Sequence, residues 1–305
     1  MKITVATAVA CRNVLGEGSY WDARRAHLWW VDVPLPSRLF RLDPATGAVE
    51  TYDMPEMITC VRAKADGSGL IVACHSGISS FDYATGTLSH VLDPEPQQPY
   101  NRSNDGGTDA RGRFWFGTMQ NNIQPNGAGI DLVGSAGTLY RLDSDMTLTP
   151  FETGVMISNT IAWSPDNRTM YFCDTGTGII SAYDFDLDDG VISNKRPFAQ
   201  FDRGFPDGSC VDAEGCLWNA RWGGGCVVRF NPRGEVDTVI DLPVTNVTSC
   251  AFAGPHLDEL YITTGSYGMS EAEMAAAPEA GNLFVCRPGA TGQLTTEFGR
   301  APAGT

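Results

Sequence analysis

The sequence predicts an all-β fold, a six-bladed β-propeller with four-stranded blades around a central channel, and three observations lead to that class. First, the 305 residues include 34 Gly, 18 Pro and 30 aromatic residues (7 Trp, 9 Tyr and 14 Phe), which suit turns and pleated, half-buried surfaces. Second, helical patterns are almost absent. The one candidate helix, at residues 269–281, has Ser270 in an N-cap position and ends near Pro278.

The third observation is a unit that recurs six times along the chain. Each copy has a turn rich in Asp and Gly, an apolar strand with one large anchor residue, a second turn, and a strand around a second anchor. The first anchors are spaced by 42, 44, 56, 47 and 43 residues and are Trp29, Ile71, Trp115, Tyr171, Trp218 and Tyr261. The second anchors are Phe40, Phe81, Tyr140, Tyr183, Phe230 and Phe284.

A period of roughly 40 to 50 residues with hairpin turns is typical of propeller blades, and each unit has room for about four short strands. We therefore expect one propeller domain over residues 1–305. The alternative is a β-sandwich, which would require six chance similarities. Residues 1–11, MKITVATAVAC, resemble an export or lipoprotein start only loosely, and we expect a first β-strand there.

Charge and composition limit the classes of molecule that this protein is expected to bind. The chain has 21 basic and 36 acidic side chains, a formal net charge of −15, and it has no run of Lys and Arg. Such a charge disfavours nucleic acids and anionic membranes, and no apolar stretch reaches the ~20 residues that span a bilayer. The nine cysteines are scattered and have no CxxC spacing, which is typical of reduced thiols in a cytoplasmic protein. We expect a small-molecule partner, and the oligomeric state is left open.

Polar residues recur 11 to 13 positions before each first anchor, and they are Glu17, Thr59, Asn104, Asn159, Asp207 and Thr248. The innermost strand of each blade lines the channel of a propeller, so equivalent positions just before these strands should converge on one rim. Two carboxylates and two amides suit a hard divalent cation, which would also relieve the repulsion between the carboxylates. The alternative is that these residues solvate a water-filled channel in a scaffold protein.

The segments LGEGSYW, NRSNDGGTDARGRFWFGTM, ISNTIAWSPD and FPDGSCVDAEGCLW carry these polar residues. In order and spacing they resemble the family of regucalcin (senescence marker protein), gluconolactonases and luciferin-regenerating enzymes. Those proteins are six-bladed propellers that hydrolyse sugar lactones with a divalent metal. The resemblance implies one divalent ion, Ca²⁺, Mn²⁺, Mg²⁺, Zn²⁺ or Fe²⁺. It implies that its ligands are Glu17, Asn159 and Asp207, that Asp207 is also the catalytic base, and that Arg102 and Asn104 contact sugar hydroxyls or a metal-bound water. Asp105 is expected to complete a turn of sequence NDG.

Two positions depart from the family pattern. Thr160 follows Asn159 where the family usually has Gly, which predicts a tighter backbone near the metal. Asn122 lies about where some members have a substrate-contacting Glu, so we assign it to substrate binding and leave the identity of the substrate open. Two long loops, residues 119–137 and 265–281, share the rim and are predicted to form a lid. Within or near them, Trp222 and Tyr267 either stack on a sugar ring or pack against neighbouring blades.

The sequence therefore predicts a sugar lactonase that converts an aldonolactone to the aldonic acid in carbohydrate catabolism. The cation would polarise the lactone carbonyl, and Asp207 would act as the base on the attacking water. None of the four histidines falls on the ring, which argues against a His-rich zinc site or a Ser-His-Asp relay. An ester or phosphotriester hydrolase of the same fold and a non-enzymatic metal-binding propeller remain alternatives. The sequence does not distinguish pentono- from hexonolactones, γ- from δ-lactones, or one cation from another.

Overall fold

The strands of this protein are grouped into six antiparallel sheets of four strands each, in a computed structural model that describes residues 3–300. Each sheet is one blade, and the blades follow one another in a ring. The predicted six-bladed β-propeller is therefore confirmed, as are the first strand near the N-terminus and the four strands in each blade.

The strand bounds follow the sixfold repeat, and each blade runs from an innermost to an outermost strand. The chain begins with β1 (Ala6–Val9), and blade 1 contains β2 (Gly16–Asp22), β3 (His27–Asp32), β4 (Arg38–Asp43) and β5 (Ala48–Asp53). Blade 2 contains β6 (Ile58–Ala63), β7 (Gly69–Cys74), β8 (Gly77–Asp82) and β9 (Leu88–Leu92). Blade 3 contains β10 (Asn101–Thr108), β11 (Phe114–Gln120), β12 (Gly137–Leu142) and β13 (Leu148–Val155). Blade 4 contains β14 (Ser158–Trp163), β15 (Thr169–Asp174), β16 (Ile179–Asp186) and β17 (Val191–Gln200). Blade 5 contains β18 (Phe205–Val211), β19 (Leu217–Trp222), β20 (Cys226–Phe230) and β21 (Val236–Asp241).

Blade 6 joins the two ends of the chain. It contains β22 (Val247–Ala253), β23 (Glu259–Thr264) and β24 (Leu283–Cys286), and β1 is its fourth, outermost strand. β1 pairs antiparallel with β24, with Ala6 opposite Val285 and Thr7 opposite Phe284. The ring is thus closed by backbone hydrogen bonds between segments that are nearly the whole chain apart.

The twelve anchors of the sequence repeat lie on the middle strands of the blades. The first anchors fall on the second strands, the second anchors fall on the third strands, and all twelve are buried. They pack across the gaps between blades: Trp115 of blade 3 lies edge-on to Trp163 of blade 4, and Trp218 of blade 5 lies edge-on to Phe252 of blade 6. Aromatic side chains bury large apolar areas, so these contacts hold neighbouring blades together.

The Asp-rich turns of the repeat have a structural role. Asp109 accepts hydrogen bonds from the Trp115 indole at 2.9 Å and from Arg113 Nε at 2.6 Å. Asp212 likewise accepts bonds from the Trp218 indole and from Arg229 Nε, both at 2.9 Å. Each carboxylate is buried and fully engaged, which explains why an acidic turn precedes a tryptophan strand in these two blades.

One short α-helix follows β23. The helix α1 (Glu271–Ala276) begins after Ser270, whose hydroxyl accepts a bond from the Glu273 amide while the Glu273 carboxylate accepts one from the Ser270 amide. This capping box confirms the predicted loop helix. A single 3-10 turn lies at Thr175–Thr177. Within residues 3–300, none of the helices is long and apolar enough to cross a membrane.

The segment after β24 crosses one end of the channel. Gln293 donates to the carbonyls of Trp163 and Val211, Thr295 donates to the carbonyl of Trp21, and the Phe298 amide donates to the carbonyl of Ala63. These carbonyls lie at the last residue, or in β2 at the last but one, of four innermost strands. Within residues 287–300, this segment forms no hydrogen bond with the first residues of those strands, which lie at the opposite end.

Candidate active site

The six predicted ring residues lie near the beginnings of the six innermost strands: Glu17 in β2, Thr59 in β6, Asn104 in β10, Asn159 in β14, Asp207 in β18 and Thr248 in β22. The prediction of a position just before each innermost strand was wrong in detail. Because the first anchors lie on the second strands, counting back 11 to 13 residues crosses a hairpin and ends inside the first strand. The equivalence of the six positions nevertheless brings them to one end of the channel, which we call the ring end.

A β-bulge accompanies every ring residue. The pairing between the first and second strands shifts register beside the ring position in all six blades. Bulges bend a strand and change the direction of its side chains. The NDG sequence of blade 3, expected to form a turn, is such a bulge, and its Asp105 lies within β10.

Hydrogen bonds fix the two ring amides. Asn104 donates from Nδ2 to Asn159 Oδ1 at 3.0 Å and to the Ser158 carbonyl at 2.8 Å. Asn159 donates from Nδ2 to the Thr175 hydroxyl at 2.8 Å. Since the nitrogen of each amide is engaged in this way, the Asn159 oxygen keeps its orientation and one further lone pair. Asn104 accepts a bond from Arg102 at 2.6 Å, so it connects Arg102 with Asn159.

Burial and mutual repulsion disfavour the ionised forms of the acidic groups at the ring end. Burial, followed by repulsion from Asp105, raises the pKa of Glu17 to about 8. Burial, followed by repulsion from Glu17 and then Asp105, raises the pKa of Asp207 well above its usual range. Burial also raises the pKa of Asp105. In the described part of the chain, none of these three carboxylates forms an ion pair with a lysine or arginine.

This donor set fits a hard divalent cation. Glu17, Asp207 and the oxygen of Asn159 offer two carboxylates and one neutral oxygen, which are the ligands that Ca²⁺, Mg²⁺ and Mn²⁺ prefer. A cation among them would lower the cost of holding the buried charge of Asp207 close to the partly buried charge of Glu17. By contrast, the acidic cluster of Asp212, Glu214 and Cys216 does not offer free ligands, because both Asp212 oxygens already accept hydrogen bonds.

The three predicted substrate contacts are brought together. Arg102 is buried at 3% exposure and donates to Asn104 Oδ1 at 2.6 Å and to Asn122 Oδ1 at 2.8 Å. Its other acceptor is the Ser103 carbonyl, and its Nε has no partner. Burial lowers the pKa of Arg102 to about 10. A buried guanidinium whose acceptors are all neutral retains donors for an oxygen-rich molecule.

The two predicted lid loops meet above the ring end. They span residues 121–136, between β11 and β12, and residues 265–282, between β23 and β24. Tyr267 of the second loop donates its hydroxyl to the Asn122 carbonyl of the first at 2.8 Å. Ile123 is completely buried in the apolar cluster of blades 1 and 2, against which Trp222 and Tyr267 also pack. The packing interpretation of these two aromatic residues is therefore the one that the contacts support.

Sequence reasoning missed two parts of this site. Asp105 was assigned to a turn, although its position next to Asn104 in a bulged strand makes it the third acid at the ring end. The bond between Tyr267 and Asn122 was also missed, because it joins residues 145 positions apart and no periodic pattern relates them.

A model of the family described as SMP-30/Gluconolactonase/LRE-like region matches residues 15–266. The chain belongs to this family. Two relatives cover almost the whole chain: the 6-deoxy-6-sulfogluconolactonase of Pseudomonas putida is 38% identical over 94% of this chain and 96% of its own, and the L-arabinolactonase of Azospirillum brasilense is 35% identical over 96% and 95%. Among solved structures, the calcium-binding protein regucalcin of Agrobacterium tumefaciens has a TM-score of 0.90 and 28% identity over 98% of both chains.

These comparisons confirm the predicted family. The lactonase names of the relatives support the predicted class of enzyme, a sugar lactonase.

Proposed function

We propose that this protein hydrolyses a sugar lactone to the aldonic acid, using a divalent cation bound by Glu17, Asn159 and Asp207. One observation carries the proposal: the ring end holds the buried Asp207 and the partly buried Glu17, neither of which forms an ion pair within residues 3–300, next to a buried arginine whose acceptors are all neutral. The relatives named as lactonases support a lactone substrate, and the calcium-binding relative supports a cation.

The bound cation would supply a Lewis acid that polarises the lactone carbonyl and stabilises the developing oxyanion. Asp207 is proposed to accept a proton from the attacking water, whose oxygen forms the new bond to the carbonyl carbon. The bond to the ring oxygen then breaks, and Asp207 returns the proton to that oxygen as it leaves.

Arg102, Asn104 and Asn122 are proposed to orient the sugar. The Arg102 guanidinium is held in place by both amides, so it presents its remaining donors in a fixed plane. Substrate would enter from the ring end, below the two loops joined by Tyr267, because the C-terminal segment crosses the other end of the channel.

Proton release from xylono-, arabino-, galactono- and gluconolactone would test the proposal, first on chelated protein and then after single divalent ions are added back. We expect little activity above the spontaneous rate without an ion, and restored activity with one. Aryl esters and phosphotriesters belong in the same panel. If the protein binds the cation but hydrolyses none of these lactones, the proposal of lactone hydrolysis is wrong.

The variant Asp207→Asn tests the base. We expect turnover to fall by roughly 10²-fold or more, the range usual for loss of a general base. The matched control is Asp202→Asn, which changes an exposed carboxylate five residues away and should retain activity. A folded, cation-loaded Asp207→Asn protein with the wild-type rate would show that Asp207 is not the base.

A further inference from the structure

Thr160 has a backbone conformation that is unusual for its residue type. It directly follows Asn159, is completely buried, and has a φ of 55°. The left-handed region is costly for a β-branched residue and free of that cost for glycine. The sixfold repeat provides an internal comparison, because Gly18 follows Glu17 at the equivalent bulge of blade 1 and has a φ of 62°.

The space beside these two residues differs. At Gly18, an added Cβ would lie 2.7 Å from the carbonyl oxygen of Thr59, the ring residue of the next blade, so only glycine fits there. At Thr160 the ring residue of the next blade is Asp207. There the side chain is accommodated, and its hydroxyl donates to the Asp207 carbonyl at 2.6 Å. Thr160 therefore spans the gap between blades 4 and 5 at the height of the ring.

The hydroxyl of Thr160 belongs to a small buried network. It lies 2.9 Å from the Ser209 hydroxyl, and the Asn219 amide donates both to that hydroxyl at 2.9 Å and to the Asp207 carbonyl at 3.0 Å. On its main-chain side, the amides of Ile161 and Thr160 lower the pKa of Asp105, which burial raises. Thr160 thus contacts Asp207 through its hydroxyl and Asp105 through its main-chain amide.

We propose that Thr160 is a positioning residue, whose hydroxyl fixes the Asp207 main chain relative to Asn159 so that both can reach one cation. The inference rests on the proposed cation site and adds a residue to it. The strained backbone is retained because glycine, which would relax it, cannot make the bond to Asp207. A residue that merely filled space would affect folding stability but not the affinity for the cation.

Three variants separate these roles: Thr160→Ser keeps the hydroxyl, Thr160→Val keeps the shape without it, and Thr160→Gly removes both the hydroxyl and the backbone strain. Titration calorimetry with Ca²⁺ and Mn²⁺ gives the Kd, and thermal unfolding of the chelated proteins gives stability. We expect the Kd to rise roughly 10-fold for Val and Gly, the lower end of the effect usual for groups that orient metal ligands, and to stay within about threefold for Ser.

The matched control is Thr264→Val. Thr264 is also buried, and its hydroxyl donates to a main-chain carbonyl, that of Asn282, at 2.7 Å, but it lies on the second strand of blade 6. We expect this variant to lower the unfolding temperature and to leave the Kd unchanged.

Wild-type affinity in Thr160→Gly and Thr160→Val would overturn the inference while leaving the proposed function intact. So would an equal loss of affinity in Thr264→Val, because the effect would then follow stability alone. If the wild-type protein binds no divalent cation, the proposed function and the inference are both overturned. If Thr160→Val does not fold, the Kd values of Thr160→Gly and Thr160→Ser are compared instead, and equal values would overturn the inference.

Discussion

The substitution Glu17→Gln should stabilise the chelated protein while abolishing tight binding of the cation. Burial and repulsion from Asp105 raise the pKa of Glu17 from 4.5 to about 8. Below pH 4.5 the carboxyl is protonated in both the folded and the unfolded chain, so it does not change stability. Between pH 4.5 and 8 the unfolded chain is ionised and the folded chain is not, so stability falls as the pH rises. Above pH 8 the penalty is constant.

The size of this effect follows from the shift. At pH 7 the unfolded carboxyl is 2.5 pH units above its pKa of 4.5, while the folded one is still mostly protonated, and each unit corresponds to about 1.4 kcal/mol. At pH 7, glutamine therefore removes a penalty on the order of 3 kcal/mol. For a chain of this length we expect the unfolding temperature to rise by roughly 5 °C at pH 7.

Thermal unfolding of chelated wild-type protein and Glu17→Gln at pH 5, 6, 7 and 8 would measure this effect. The difference should be smallest at pH 5 and should grow towards pH 8. Adding a divalent cation should stabilise the wild type and leave the variant unchanged. Glu271→Gln, an exposed change on α1, is the control and should show neither effect. A difference in unfolding temperature that does not depend on pH would refute the reasoning.

Three further outcomes are expected. Glu17 must lose its proton when the cation binds, so binding should release close to one proton from Glu17 at pH 7. For the same reason, the affinity for the cation should rise up to tenfold per pH unit between pH 6 and 8. Calorimetry in buffers of different ionisation enthalpy measures both the proton release and the affinity. Tyr267→Phe removes the bond to the Asn122 carbonyl and should raise KM by about 2- to 10-fold with kcat retained, whereas an unchanged KM would mean that the contact does not shape the site. Asp109→Ala leaves Trp115 and Arg113 without their buried acceptor, so urea unfolding should show a loss of about 3 kcal/mol, and a loss below 1 kcal/mol would contradict the role given to this turn.

The repeat predicted the blades and the ring because both depend on regular spacing. Anchors such as Trp29 and Phe40 recur every 41 to 59 residues, and a large buried residue in each middle strand helps to hold neighbouring blades together. Polar residues such as Glu17 and Asp207 could be aligned for the same reason, although they lie inside the innermost strands rather than before them.

The parts that the sequence did not predict depend on irregular backbone or on distant loops. A bulge places Asp105 at the ring end, and its NDG sequence is equally typical of a turn. Thr160 has a φ that its side chain disfavours, so propensity points away from the observed conformation. Tyr267 meets Asn122 only after the ring has closed, and contacts between loops of blades 3 and 6 have no period.

The pairing of β1 with β24 has a consequence for the order in which the chain can fold. The segment Ala6–Val9 is the first of the described strands to be synthesised, and its partner Leu283–Cys286 is the last of them. Until then blade 6 lacks its outermost strand, and the backbone groups of β1 have no partner within a sheet. Contacts of such large sequence separation form slowly, so we expect ring closure to be a late step that follows the synthesis of β24.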